Sequence, residues 1–217
     1  MSTKHRAQEI LADIKKMADK PFKIMEVCGS HTVAIAKSGV RELLPENIQL
    51  VSGPGCPVCV TDNSDIDRFL DLARNPQVIT TTFGDMIRVP GSKTSLQEVR
   101  AEGGDIRIIY STTDALEIAR QNPDKQVVFL GVGFETTTPT VAVSIETALR
   151  EGIANYSVFA MHKLVPPILE LLVKDPELCL DAFINPGHVC SVLGTEPFEF
   201  IAEQYGKPSV VAGFEAL

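Results

Sequence analysis

Eight short runs rich in β-branched residues recur along this chain: FKIMEV, NIQLVS, QVITTT, DIRIIY, QVVFLG, YSVFAM, DAFINP and PSVVAG. Most are continuous in hydrophobicity instead of alternating, which is the pattern of parallel strands covered on both faces. Parallel neighbours cannot be joined by tight hairpins, so each pair needs a crossover. Helical periodicity supplies crossovers over 63–74, 114–122, 140–151, 165–174 and 197–205. The fold class that follows is α/β, with mainly parallel sheets flanked by helices. The polar connection RQNPDKQ near the middle predicts two small units, 1–123 and 124–217.

Composition narrows the function classes. With 44% hydrophobic and 22% charged residues, the 217-residue chain can bury a core of its own. A net charge of −8 without any basic run argues against a nucleic-acid surface. Every apolar stretch is interrupted before it could span a bilayer, and MSTKHRAQEILADIKKMADK lacks the apolar centre of a secretory signal. In that segment Ile10, Leu11, Ile14 and Met17 recur at helical spacing, which predicts a surface helix docked by one stripe. The expected compartment is the cytoplasm, with no membrane contact. There thiols stay reduced, so five cysteines point to metal or redox chemistry before a disulfide framework.

The chemistry-bearing residues share one topological position. CGSHT follows the first run, GPGCPVC the second, TFGD the third, GVGFETTTP overlaps the fifth, MHKLVPP follows the sixth and PGHVCSVLG the seventh. Ligands of open parallel sheets bind beyond the carboxyl ends of the strands, so a site is expected there. Within GPGCPVC, Cys56 and Cys59 form a C-x-x-C that reads as a redox dithiol, half of a metal site, or two ordinary loop cysteines. Cys28 and His31 have C-x-x-H spacing, with donors soft enough for zinc or Fe(II). Their bland reading is a small packed thiol and a helix-capping imidazole. Taken together, Cys28, Cys56 and Cys59 are candidates for one metal, with His31 as a fourth ligand or a supporting donor. A closed structural zinc of three cysteines and one histidine is the competing metallic reading.

The weaker motifs carry single residues. GVGFETTTP lacks the third glycine of a dinucleotide fingerprint and is singled out for Glu135, a carboxylate at a strand end; its bland reading is helix capping around Thr138 and Pro139. His188 in PGHVCSVLG reads as a crevice donor or a turn residue. Asp85, His162 and Lys163 read as anion contacts or caps, and Cys179 and Cys190 as packed thiols.

In this order, MEVCGSHT, GPGCPVC, TTFGDMIRVPG, GFETTTP, HKLVPP, NPGHV and PSVVAGFE resemble the HypD family of hydrogenase maturation proteins, from about residue 22 to residue 215. The resemblance implies an iron-binding scaffold for assembling the Fe(CN)2CO centre of nickel–iron hydrogenases. It also implies two partners: a small HypC-type chaperone, and a HypE-type donor that delivers cyanide as a thiocyanate. Carried onto this sequence, the family's iron ligand falls on Cys28 and its dithiol on Cys56 and Cys59. The dithiol is then a reductant for ligand processing, a source of further ligands, or both. His31, Glu135 and His188 become candidates for supporting hydrogen bonds or proton transfer, in a metallocentre scaffold more than a turnover enzyme. The family continues past AGFE into a region that binds a [4Fe-4S] cluster, whereas this chain ends two residues after Glu215. The expectation is a truncated member or a fragment without that cluster. Two other readings remain open: a free-standing thiol–disulfide oxidoreductase, and a structural zinc protein.

Overall fold

The structure is a computed structural model that describes residues 3–215. All eight apolar runs are strands: β1 (Phe22–Glu26), β2 (Ile48–Ser52), β3 (Val78–Thr82), β4 (Asp105–Ile108), β5 (Gln126–Gly131), β6 (Tyr156–Ala160), β7 (Ala182–Pro186) and β8 (Ser209–Ala212). They form two four-stranded sheets, ordered β2-β1-β7-β8 and β4-β3-β5-β6. Every strand pairing is parallel, in keeping with the continuous hydrophobicity of the runs. The protein is therefore α/β.

The helices are α1 (Thr3–Met17), α2 (Gly29–Ser38), α3 (Val40–Leu43), α4 (Asn63–Ala73), α5 (Leu96–Ala101), α6 (Thr112–Gln121), α7 (Thr138–Glu151), α8 (Val165–Lys174), α9 (Gly187–Leu193) and α10 (Phe200–Glu203). The segment 197–205 is not one helix: a 3-10 turn at Glu196–Phe198 precedes the single turn of α10. The short α3, α5 and α9 show no periodicity, because each is too brief to display an apolar stripe, and α2, ten residues long, buries only His31. Among the described residues no helix is long and apolar enough to cross a membrane.

The chain divides into two bodies, residues 1–56 with 164–217, and residues 57–163. This differs from the expected division at 123/124. The polar RQNPDKQ connection joins α6 to β5, and β5 pairs with β3 through Val78 and Gln126, so the connection lies within one sheet. It is a surface crossover and not a domain border. The first body is closed by β7, which returns beside β1 with Phe183 opposite Met25. Such a long-range pairing leaves no mark in local composition.

In the second body β3 is buried at every residue. Period-two alternation sends Val78, Val128 and Leu130 to one face, against Phe69 and Leu70 of α4 and Leu96 and Val99 of α5. It sends Ile79, Val127 and Phe129 to the other, against Ala115 and Ala119 of α6 and Val141 of α7. In the first body α1 docks less fully than its stripe predicts. Ile14 lines a groove with Ile24 and Leu44, but Ile10 and Met17 are exposed.

Candidate functional site

Parallel pairing in register places Glu26 of β1 opposite Ser52 of β2, so both strands leave the sheet at one level. Cys28 is the next residue but one after β1 and is the N-cap of α2, extended at φ −105° and ψ 136°. Its carbonyl accepts from the His31 amide at 2.9 Å, and its side chain makes no capping bond. Ser, Thr, Asp and Asn are the residues that stabilise a helix at this position. A thiol there forgoes that stabilisation.

From β2 the chain turns back immediately, with the Gly53 amide donating to the Glu26 carbonyl at 2.9 Å. Gly55 then crosses the start of α2. A Cβ on Gly55 would stand 2.3 Å from the Gly29 nitrogen and 2.7 Å from both the Cys28 Cα and the Val27 oxygen. Only glycine allows this backbone-on-backbone approach. The next residue is Cys56, exposed, while Cys28 is half-buried. The two cysteine motifs, 27 positions apart at Cys28 and Gly55, thus meet within the first body.

The other predicted residues are distributed as follows. Cys59 is exposed, in the turn over 57–60 at the start of the second body, where Thr61 Oγ1 donates to the Pro57 carbonyl at 2.8 Å. Glu135 is buried in the second body beyond β5. Around it Thr137 Oγ1 donates to the Phe134 carbonyl at 3.0 Å and Thr138 Oγ1 to the Glu135 carbonyl at 2.9 Å. The threonine run therefore builds the entry to α7; the N-cap is Thr137, not Thr138, and no side-chain cap bond forms. Nor do His162 and Lys163 cap α8, whose N-cap is Leu164. The His162 ring lies over Gly131, where a Cβ would stand 2.7 Å from Cε1.

In the first body His31 and His188 both lie against one phenyl ring. Their rings lie 4.7 and 5.0 Å from that of Phe214. His31 is buried, and its Nε2 donates to the Gly213 carbonyl at 2.9 Å, with the Ala212 carbonyl at 3.2 Å. Two carbonyl acceptors place the ring proton on Nε2. His31 thereby ties α2 to the end of β8, and its buried Nδ1 has no hydrogen-bond partner. Desolvation, with the His31 charge as a second cause, holds the His188 imidazole below the usual histidine range. Desolvation alone lowers His162.

These shifts predict a pH dependence. In the unfolded chain both rings titrate near about 6.5. Because their folded pKa values are lower, the unfolded state binds more protons between the two values, and stability falls as pH drops from about 6.5 through that window. His162→Gln and His188→Gln should each flatten the dependence of the urea midpoint on pH there. An unchanged slope in the double variant would contradict this assignment.

One buried carboxylate at this site was missed from the sequence. Glu26 has no exposed surface, and its Oε1 accepts from Arg41 Nη2 at 2.8 Å and from Ser52 Oγ at 3.1 Å. A charge inside the apolar run FKIMEV, directly before a cysteine motif, is the signal that would have found it. Cys179 also departs from expectation: it is exposed, in a left-handed turn at φ 48°, with Sγ donating to the Pro176 carbonyl, and Leu180 is buried in its place. Cys190 is buried in α9, as expected of a packed thiol. Among the described residues no three His, Cys, Asp or Glu side chains form a ready metal cage. Cys179 and Cys190 do not fit the four-thiolate requirement of a [4Fe-4S] cluster.

Comparison with known proteins identifies the family. The sequence model of HypD, described as "Hydrogenase formation hypA family", matches residues 5–217. The chain is 52% identical over 216 residues to "Hydrogenase maturation factor HypD" of Rhodobacter capsulatus, covering 96% of this chain and 57% of that protein. It is 47% identical over 210 residues to the protein of the same name from Escherichia coli K12, covering 97% and 56%. The Azotobacter vinelandii protein of that name is 47% identical over 219 residues, covering 97% and 58%. The chain thus spans somewhat more than half the length of the curated relatives it matches. The match runs through both sheets and every cysteine motif, and the chain belongs to the HypD family.

Proposed function

We propose that this chain is the iron-handling α/β part of a hydrogenase maturation factor, on which the Fe(CN)2CO centre of nickel–iron hydrogenases is put together. Iron is the cargo, and Cys28 is its principal ligand here, shared with a thiol of a HypC-type chaperone. Thiolates are soft donors suited to Fe(II), and a scaffold leaves coordination positions open for incoming ligands, unlike a closed structural zinc. A HypE-type donor supplies cyanide as a thiocyanate. The Cys56–Cys59 pair is the reductant: two thiols and one thiocyanate give one disulfide, the donor's free thiol and hydrogen cyanide, two electrons passing from the dithiol to the sulfur–carbon bond. Before the disulfide forms, Cys56 and Cys59 also serve as further thiolate ligands, and His31 and His188 give supporting hydrogen bonds or proton transfer.

The observation that carries this reading is the crossing of Gly55 over the Cys28–Gly29 peptide, which brings the candidate ligand and the dithiol segment together. Metal analysis of anaerobically purified protein, with and without the HypC-type chaperone, tests it. Iron retained in the presence of the chaperone is expected. Tight stoichiometric zinc with unfolding by chelator would replace the reading with a structural zinc site. Metal-free disulfide reductase activity indifferent to Cys28→Ala would replace it with an oxidoreductase.

A further inference from the structure

Burying a carboxylate with an oxygen left unsatisfied opposes folding, so such a group calls for a role beyond filling space. Glu26 is in that position: it has no exposed surface, and its Oε2 has no hydrogen-bond partner. What its Oε1 connects suggests the role. Ser52, which donates to it, is the last residue of β2, and the loop leading to Cys56 begins at the next residue. Thr32 lies in the first turn of α2, the helix capped by Cys28, and its Oγ1 donates to Ser52 Oγ at 3.2 Å. Arg41 in α3 donates to the same carboxylate oxygen at 2.8 Å. One buried charge therefore joins both cysteine-bearing segments through two hydroxyl groups.

We propose that Glu26 is a positioning residue that, through Ser52 and Thr32, holds the Cys28 and Cys56 segments at one fixed spacing before cargo arrives. This deepens the scaffold reading and rests on it for its purpose, since groups that act on one atom need their geometry set in advance. A neutral Gln would fill the same volume, but hydrogen bonds to an ionised acceptor hold their donors more firmly.

The test is metal-free, so its outcome is separate from that of the iron reading. In a Cys59→Ser, Cys179→Ser background, a short bifunctional alkylating reagent bridges Cys28 to Cys56, and peptide mapping measures the rate against single alkylation of each thiol. Ser52→Ala, at an exposed residue, should slow bridging about tenfold, the loss of one charge-assisted hydrogen bond. Glu26→Gln should slow it about threefold, since it keeps the acceptor and removes the charge. Ser52→Thr should restore the rate. A merely structural role would lower the urea midpoint and leave the bridging ratio unchanged. An unchanged ratio in folded Ser52→Ala overturns the proposal, even where Glu26→Gln fails to fold. Slowed bridging in a protein that retains no iron with its chaperone would support the lock and reject the scaffold.

Discussion

Gly55→Ala is expected to lower the stability of the first body by at least about 1–3 kcal/mol and to part Cys28 from Cys56. The added methyl would stand 2.3 Å from the Gly29 nitrogen and 2.7 Å from the Cys28 Cα and the Val27 oxygen. All three are backbone atoms, so no side-chain rotation relieves the contact. Either the loop lifts off the start of α2 or that helix shifts. Gly29→Ala is the internal control, because a Cβ there meets nothing within 4 Å. In helical geometry alanine is favoured over glycine by up to about 1 kcal/mol, so this variant should be neutral or more stable. The urea midpoints of the two variants decide it, with iron retention measured on the same samples. Equal midpoints for both would show that the close crossing does not hold the site together.

Cys28→Ala should abolish iron retention by the chaperone complex while leaving the fold intact. The thiol is half-buried and makes no capping bond, so its removal takes little from the core. Cys28→Ser sharpens the test, since serine at an N-cap stabilises a helix by about 1 kcal/mol over a residue that cannot cap. That variant should be as stable as the parent or more so, and still lose its iron, because a hydroxyl is a poor donor where a soft thiolate is needed. Metal content and circular dichroism on one sample separate the two effects. Undiminished iron in either variant would remove Cys28 from the ligand set.

Cys28, Cys56 and Cys59 stood out because loop cysteines at C-x-x-C and C-x-x-H spacing are uncommon in chains that can build a core without them. Gly55 did not stand out among the glycines of its loop, because close approach is a property of two segments and not of one. Glu26 was hidden for a related reason. Its partners Arg41 and Ser52 lie 15 and 26 residues away, and a buried carboxylate is recognisable only once its donors are known. The C-x-x-H spacing makes His31 a candidate ligand, while the tie of its Nε2 to carbonyls 181 and 182 residues distant leaves no local mark.

By itself, the sequence determined the strands, the parallel class of the sheets and the strand ends where the unusual residues gather. These follow from local hydrophobic pattern and from the crossovers that parallel pairing demands. Tertiary structure alone decided that β7 returns beside β1, so that the first body is assembled from both ends of the chain, residues 57–163 lying between them in sequence. Pairing partners across more than a hundred residues are chosen by the fit of buried faces, such as Phe183 opposite Met25, and by where crossovers can close. The same long-range fit set Gly55 on the Cys28–Gly29 peptide and closed the hydroxyl tie from Glu26 to both cysteine segments.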